Sequence, residues 1–197
     1  MNILGIQLGH DSSACILRKN EIIAASPEER FSRVKNDSSF PLKAIDFCLK
    51  EANISSEEVD VIAIPQSNLT RIHECFLNLD AVKERSLKIS FKNKIKRKLR
   101  DLFIKQLIPK GTELPIYYKR PFFRENTKIH CCHHHKAHAA SAYYTSGFKD
   151  EKVLIVTMDG VGERVSSALW LGNKNKLHKI KSYGTESSIG FFYGNAT

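Results

Sequence analysis

A mixed α/β sheet with helices packed on it is the fold class this sequence predicts, on three observations. Short apolar runs of strand length open the chain at residues 3–8, 14–18 and 21–25, separated by small polar turns. Apolar residues at helical spacing follow (Ala44, Ile45, Phe47, Cys48 and Leu49 behind Pro41), and then an alternating run at 59–64 that ends at Pro65. After residue 150 the strand–turn–strand order returns. Strands and helices mixed in this way bury their apolar faces against one another.

Taken in order, residues 9–13 (Gly9, His10, Asp11, Ser12, Ser13) form a tight polar turn between the first two strands, and Lys19-Asn20 forms the next. Such a turn either closes a hairpin or offers backbone N–H groups to a phosphate. Residues 28–35, Glu-Glu-Arg-Phe-Ser-Arg-Val-Lys, read as a charged, solvated connection. From Phe91 to Leu107 apolar residues recur every four positions with Lys and Arg between them, a basic amphipathic helix ended by Pro109. A solvated face or a docking surface for an acidic partner accounts for that helix better than a membrane surface or nucleic acid does. The aromatics that single-strand binding needs are sparse there.

Residues 133–142, His-His-His-Lys-Ala-His-Ala-Ala-Ser-Ala, contain no Pro or Gly and predict a helix running toward Gly147. On it His134 and His138 lie one turn apart on one face, about 6 Å along the axis. Two imidazoles so placed can share a divalent metal, or can simply be surface histidines. His135 points elsewhere and can supply a hydrogen bond. The apolar run 153–158 then leads into Asp159, Gly160, Val161, Gly162 and Glu163, either an ordinary turn or one whose glycines bring backbone amides close to an anion. Residues 165–171 and 177–183 make a further hairpin, and 187–193 begin another helix.

Composition narrows the function classes. Hydrophobic residues make up 42% and charged residues 26%, as in ordinary globular domains, and no run is long enough to span a membrane. Five cysteines without paired spacing argue against a disulfide framework and for a cytoplasmic setting. Of the net charge of +10, a balance of +9 sits in residues 83–110 alone, so a uniformly basic nucleic-acid surface is not expected.

Five motifs occur in a fixed order: Gly9 to Ala14, Glu28 to Arg33, His134 to Ala142, Asp159 to Glu163, and Ser188 to Tyr193. Together they resemble the N-terminal region of the NodU/CmcH-type O-carbamoyltransferases, over nearly the whole chain except about residues 66–127. The resemblance implies an actin-like ATPase fold (ribonuclease H-like). Residues 1–150 would form the first subdomain, with the basic insertion at about 80–110, and 151–197 the start of a second.

It further implies carbamoyl transfer from carbamoyl phosphate, with ATP and through carbamoyl-adenylate, to a hydroxyl or amine of a small-molecule acceptor. His134 and His138 would hold a divalent metal, Fe2+ by resemblance. Ser12 and Asp159, Gly160, Val161, Gly162 and Glu163 would line the nucleotide, and His10, Asp11 and Lys35 would face the carbamoyl and acceptor groups. Two positions depart from the family pattern: Gly9 stands where an aromatic is usual, and Arg164 where Trp is usual. A third metal ligand, most of the adenine pocket and an adenylate-forming domain are expected beyond Thr197 or on a separate chain, leaving the 197 residues alone without turnover. A tRNA threonylcarbamoyl-transferase-like protein, or a non-catalytic anion-binding module using the basic helix, are the competing readings.

Overall fold

The computed structural model describes residues 1–65, 127–148 and 151–196, so the basic helix expected at 91–107 lies outside the described residues. Two compact units divide between Cys131 and Cys132.

The first unit is a mixed sheet, as the sequence predicts, and it has five strands in the order β3-β2-β1-β4-β5. Strands β1 (Asn2–Gln7), β2 (Ser13–Arg18) and β3 (Glu21–Pro27) form an antiparallel meander. Strands β4 (Val61–Ile64) and β5 (Lys128–Cys131) then add in parallel along the other edge of β1. Helix α2 (Leu42–Glu51) buries Ala44, Ile45 and Cys48 against this sheet, joining a core of Leu4, Ile6, Ile16, Ile62 and Ile64.

The charged stretch 28–35 is more than a solvated connection. Glu29–Ser32 forms a helical turn, α1, and the Glu28 carboxylate is buried at the start of α2, where it accepts the N–H groups of Lys43 (3.3 Å) and Ala44 (2.8 Å). These belong to the first-turn donors that a helix cannot satisfy from within. Phe31 packs on Phe47 with ring centroids 5.5 Å apart, so the motif fastens α2 to the end of β3.

The second unit carries an antiparallel sheet in the order β6-β7-β8: Val153–Gly162, Val165–Asn173 and Lys176–Gly184. Helix α3 (His134–Thr145) packs on one face, where Ala139 and Tyr143 join Ile155, Ala168 and Trp170. That packing places α3 with the second sheet, whereas the division near residue 150 grouped it with the first. Helix α4 (Ile189–Ala196) follows β8 through a single 3-10 turn, Thr185–Ser187. No helix among the described residues is long and apolar enough to cross a membrane.

The two meanders share a plan. Each joins its second and third strands by Lys-Asn with both residues at positive φ: 51° and 68° at Lys19-Asn20, 45° and 59° at Lys174-Asn175. This is the two-residue turn whose twist matches the flanking strands. Each also carries one extra residue in its third strand, Ile23 and Ile180, where the register shifts.

Candidate metal centre

Alternation along β6 builds the site. Ile155, Thr157 and Asp159 share the face that meets α3, because successive strand residues point to opposite sides. Ile155 packs in the cluster with Ala139 and Tyr143. Thr157 meets the fully buried His135, whose Nδ1 lies 2.9 Å from the Thr157 hydroxyl and whose Nε2 lies 2.9 Å from the Val165 carbonyl. A carbonyl only accepts, so Nε2 carries a hydrogen; the Thr157 hydroxyl beside Nδ1 also lies 3.2 Å from the Ala168 carbonyl, and its one hydrogen serves these two acceptors. His135 is therefore the pin that fixes the rotation of α3 on the sheet, and the hydrogen-bonding role the sequence suggests for it is the one it fills.

With α3 so rotated, the half-buried His134 and the more exposed His138 present their rings to Asp159. His134 Nε2 is 2.7 Å from Asp159 Oδ2 and 2.9 Å from His138 Nε2, and His138 Nε2 is 3.8 Å from the same carboxylate oxygen. The three donor atoms all lie within 4.8 Å of one another. Ligand atoms sharing one ion at bonds of about 2.0–2.2 Å stand at comparable separations. Their lone pairs also fit an ion. When His134 donates its one Nε2 hydrogen to Oδ2, His138 Nε2 can only share that same hydrogen, leaving three electron-rich atoms converging on a single proton. The sequence pointed beyond Thr197 for a third ligand and to Asp159 as part of a phosphate loop; the structure brings Asp159 to the histidine pair.

The electrostatics favour the same state. Burial lowers the His138 pKa, the neighbouring His134 lowers it further, and Asp159 only partly opposes them. Burial raises the Asp159 carboxyl, but the His134 hydrogen bond, the Gly160 N–H and the nearby imidazoles outweigh it and leave it below its ordinary value. Near neutral pH the centre thus offers a neutral imidazole at His138 and an ionised carboxylate at Asp159, the forms a metal binds.

The stretch 159–163 is largely strand: β6 runs through Gly162, which pairs with Val165, and only Glu163-Arg164 turns, at φ 55° and 68°. Its glycines make room for neighbours. A Cβ at Gly162 would collide with the His134 ring, and Gly160 faces Gly190 of α4, whose own Cβ would sit 2.7 Å from the Gly160 nitrogen. The Gly160 N–H bonds Asp159 Oδ1 at 2.6 Å, and Ser188 donates its hydroxyl to the Gly160 carbonyl at 2.7 Å. Val161 is exposed, and Glu163 accepts the His134 backbone N–H at 2.9 Å. Glu163, Ser188 and Gly190 were legible in sequence only as motif members; their supporting contacts depend on the pairing of elements.

The remaining predicted residues belong to the first unit. His10 Nδ1 lies 2.7 Å from Asp11 Oδ2 on an exposed turn, with Asp11 at φ 59°. Ser12 is fully buried: its N–H donates to the Asp37 carbonyl, its own carbonyl accepts from Glu28, and its hydroxyl has no partner among the described residues. Lys35 is exposed on a turn.

The family described as Carbamoyltransferase N-terminus matches residues 2–197. The chain is 36% identical over 203 residues to the uncharacterized protein sll1178 of Synechocystis, covering 100% of this chain and 31% of that protein. It is 31% identical over 188 residues to the nodulation protein NolNO of Sinorhizobium fredii, covering 93% and 24%. It thus spans less than a third of the length of these relatives. Among solved structures it is similar to YeaZ from Pseudomonas aeruginosa, with 12% identity, a TM-score of 0.45, and coverage of 93% of this chain and 66% of that one, a likeness too distant to carry weight. On the match across residues 2–197, this chain belongs to the carbamoyltransferase N-terminal family.

Proposed function

We propose that the chain forms the metal- and phosphate-binding part of an ATP-dependent carbamoyltransferase. The enzyme would move a carbamoyl group from carbamoyl phosphate, through carbamoyl-adenylate, to a hydroxyl or amine of a small acceptor. The observation that carries this reading is the convergence of His134, His138 and Asp159 within 4.8 Å in a chain of this family. Those three residues would hold a divalent metal, iron by resemblance. Bound there, the ion supplies positive charge to phosphate oxygens and to the charge that builds on the leaving group.

The chain's own residues do the rest. Asp159 stays ionised beside two imidazoles, and His135, locked between Thr157 and Val165, keeps the ligand helix from turning. In the first unit the Asp11 carboxylate accepts from His10 Nδ1, which leaves His10 Nε2 with its lone pair outward. An imidazole held in that tautomer can take the proton of an attacking acceptor oxygen, help worth a factor of about 10²–10⁴. Lys35, a compact cation on a flexible stem, would offset carbamoyl-phosphate charge.

The test is metal content and affinity of the chain compared with His134→Ala, His138→Ala and Asp159→Asn. It is joined by AMP release that depends on carbamoyl phosphate, ATP and an acceptor, measured in the protein that carries this chain. Each substitution is expected to weaken metal binding at least tenfold and to abolish the release. Metal content indifferent to all three positions would overturn the reading.

A further inference from the structure

We propose that Glu163 is a positioning residue for His134 that sets the metal affinity of the centre without touching the ion; this rests on the metal reading above. Its carboxylate accepts the backbone N–H of His134 at 2.9 Å, and its side chain is only 14% exposed. The start of α3 already has a cap of the usual kind: His133 adopts extended backbone at N-cap and its Nδ1 accepts the N–H of His135 at 3.2 Å. Glu163 adds a second, aimed at the N–H of the ligand residue itself.

What distinguishes it from an ordinary cap is where it comes from. Glu163 closes the strand that carries Asp159 and follows directly on Gly162, against which the His134 ring is packed. His134 is therefore held by its ring at Gly162, by its Nε2 at Asp159 and by its backbone at Glu163, all from residues 159–163. One short stretch sets both ends of the ligand side chain relative to the third donor. A carboxylate at a helix N-terminus is also electrostatically favoured there, whereas facing a nucleotide phosphate it would repel it. Groups that orient metal ligands from behind typically control affinity by about 10- to 100-fold.

The experiment titrates Co2+ into the 197-residue chain, its Glu163→Ala and Glu163→Gln variants, and His134→Ala. Affinity and the visible d–d absorption band of bound Co2+ are read together with the thermal midpoint of each apo protein. Glu28→Ala, which removes the cap of α2 in the other unit, controls for general loss of stability. Expected is a 10- to 100-fold weaker affinity and an altered band in Glu163→Ala, substantial recovery in Glu163→Gln, whose amide oxygen still accepts an N–H, and no change in Glu28→Ala. Wild-type affinity and band in Glu163→Ala, with binding still lost in His134→Ala, would overturn this inference and leave the metal reading standing. Failure of the wild-type chain to bind Co2+ would overturn both.

Discussion

The imidazole of His134 rests on the backbone of Gly162, so closely that a methyl group there would lie 2.6 Å from the ring's Cγ. Gly162 also pairs with Val165 in the hairpin, so the strand cannot retreat to make space. Gly162→Ala is therefore expected to push His134 out of register with Asp159 and His138. Overpacking of this kind costs about 1–3 kcal/mol. The fold should survive with a lower melting temperature while Co2+ affinity drops by more than tenfold. Unaltered affinity in a folded Gly162→Ala protein would mean the ring has another place to go.

In the first unit the corresponding test falls on Glu28. Removing its carboxylate leaves the part-buried N–H of Lys43 and the buried N–H of Ala44 without their acceptor. Loss of a cap costs about 0.5–2 kcal/mol, and a buried donor left unpaired about 1–3. Glu28→Ala should lower the urea midpoint accordingly, and Glu28→Gln should recover part of it. A wild-type unfolding curve for Glu28→Ala would show that α2 does not depend on this carboxylate.

The thiols give a pH dependence with a definite sign. Cys48 is fully buried, and burial, with the neighbouring Cys15 adding to it, pushes its pKa up to about 11, from an ordinary value of 9.0. The folded protein keeps this proton where the unfolded chain releases it. The stabilisation is intact below pH 9 and is lost progressively as pH rises toward 11. Iodoacetamide at pH 8, read by peptide mass spectrometry, should accordingly modify the part-exposed Cys131 and Cys132 long before Cys48. Modification of Cys48 at the rate of an unfolded control would remove the basis for this window.

Much of the architecture was legible because the chain's local signals agree with its contacts. The strand runs at 3–8, 14–18 and 21–25 and the helix behind Pro41 appear within a few residues of where periodicity puts them, and the helix of histidines where a run without Pro or Gly puts it. The helical spacing of His134 and His138 was enough to orient both rings to one face. What periodicity does not carry is which strand residue arrives opposite that face. Asp159 sits in a segment whose Asp-Gly-x-Gly composition looks like a loop, yet strand β6 continues across it through a register shift between Met158 and Gly162, and the carboxylate meets the helix there. Gly162 read as a glycine for an anion, and its contact with His134 emerges only once β6 and α3 are packed. Glu28 was hidden for the same reason, since a charged run shows no sign that one of its carboxylates will be buried under a helix 15 residues away.

The repeated meander has a consequence for how chemistry is distributed along the chain. Two ladders with matching Lys-Asn tips and a matching isoleucine bulge differ most at one junction, the link between their opening strand and its antiparallel neighbour. In one copy that link is the run from Leu8 to Ser12 bearing the His10–Asp11 pair; in the other it is the two-residue Glu163-Arg164 reversal whose Glu163 accepts the His134 N–H at the start of α3. A single supporting frame thus carries two unlike tools. Their divergence falls at corresponding corners, and in the second copy the ladder itself shifts register there, between Met158 and Gly162 and between Val165 and Ser167, where the first copy pairs without a break.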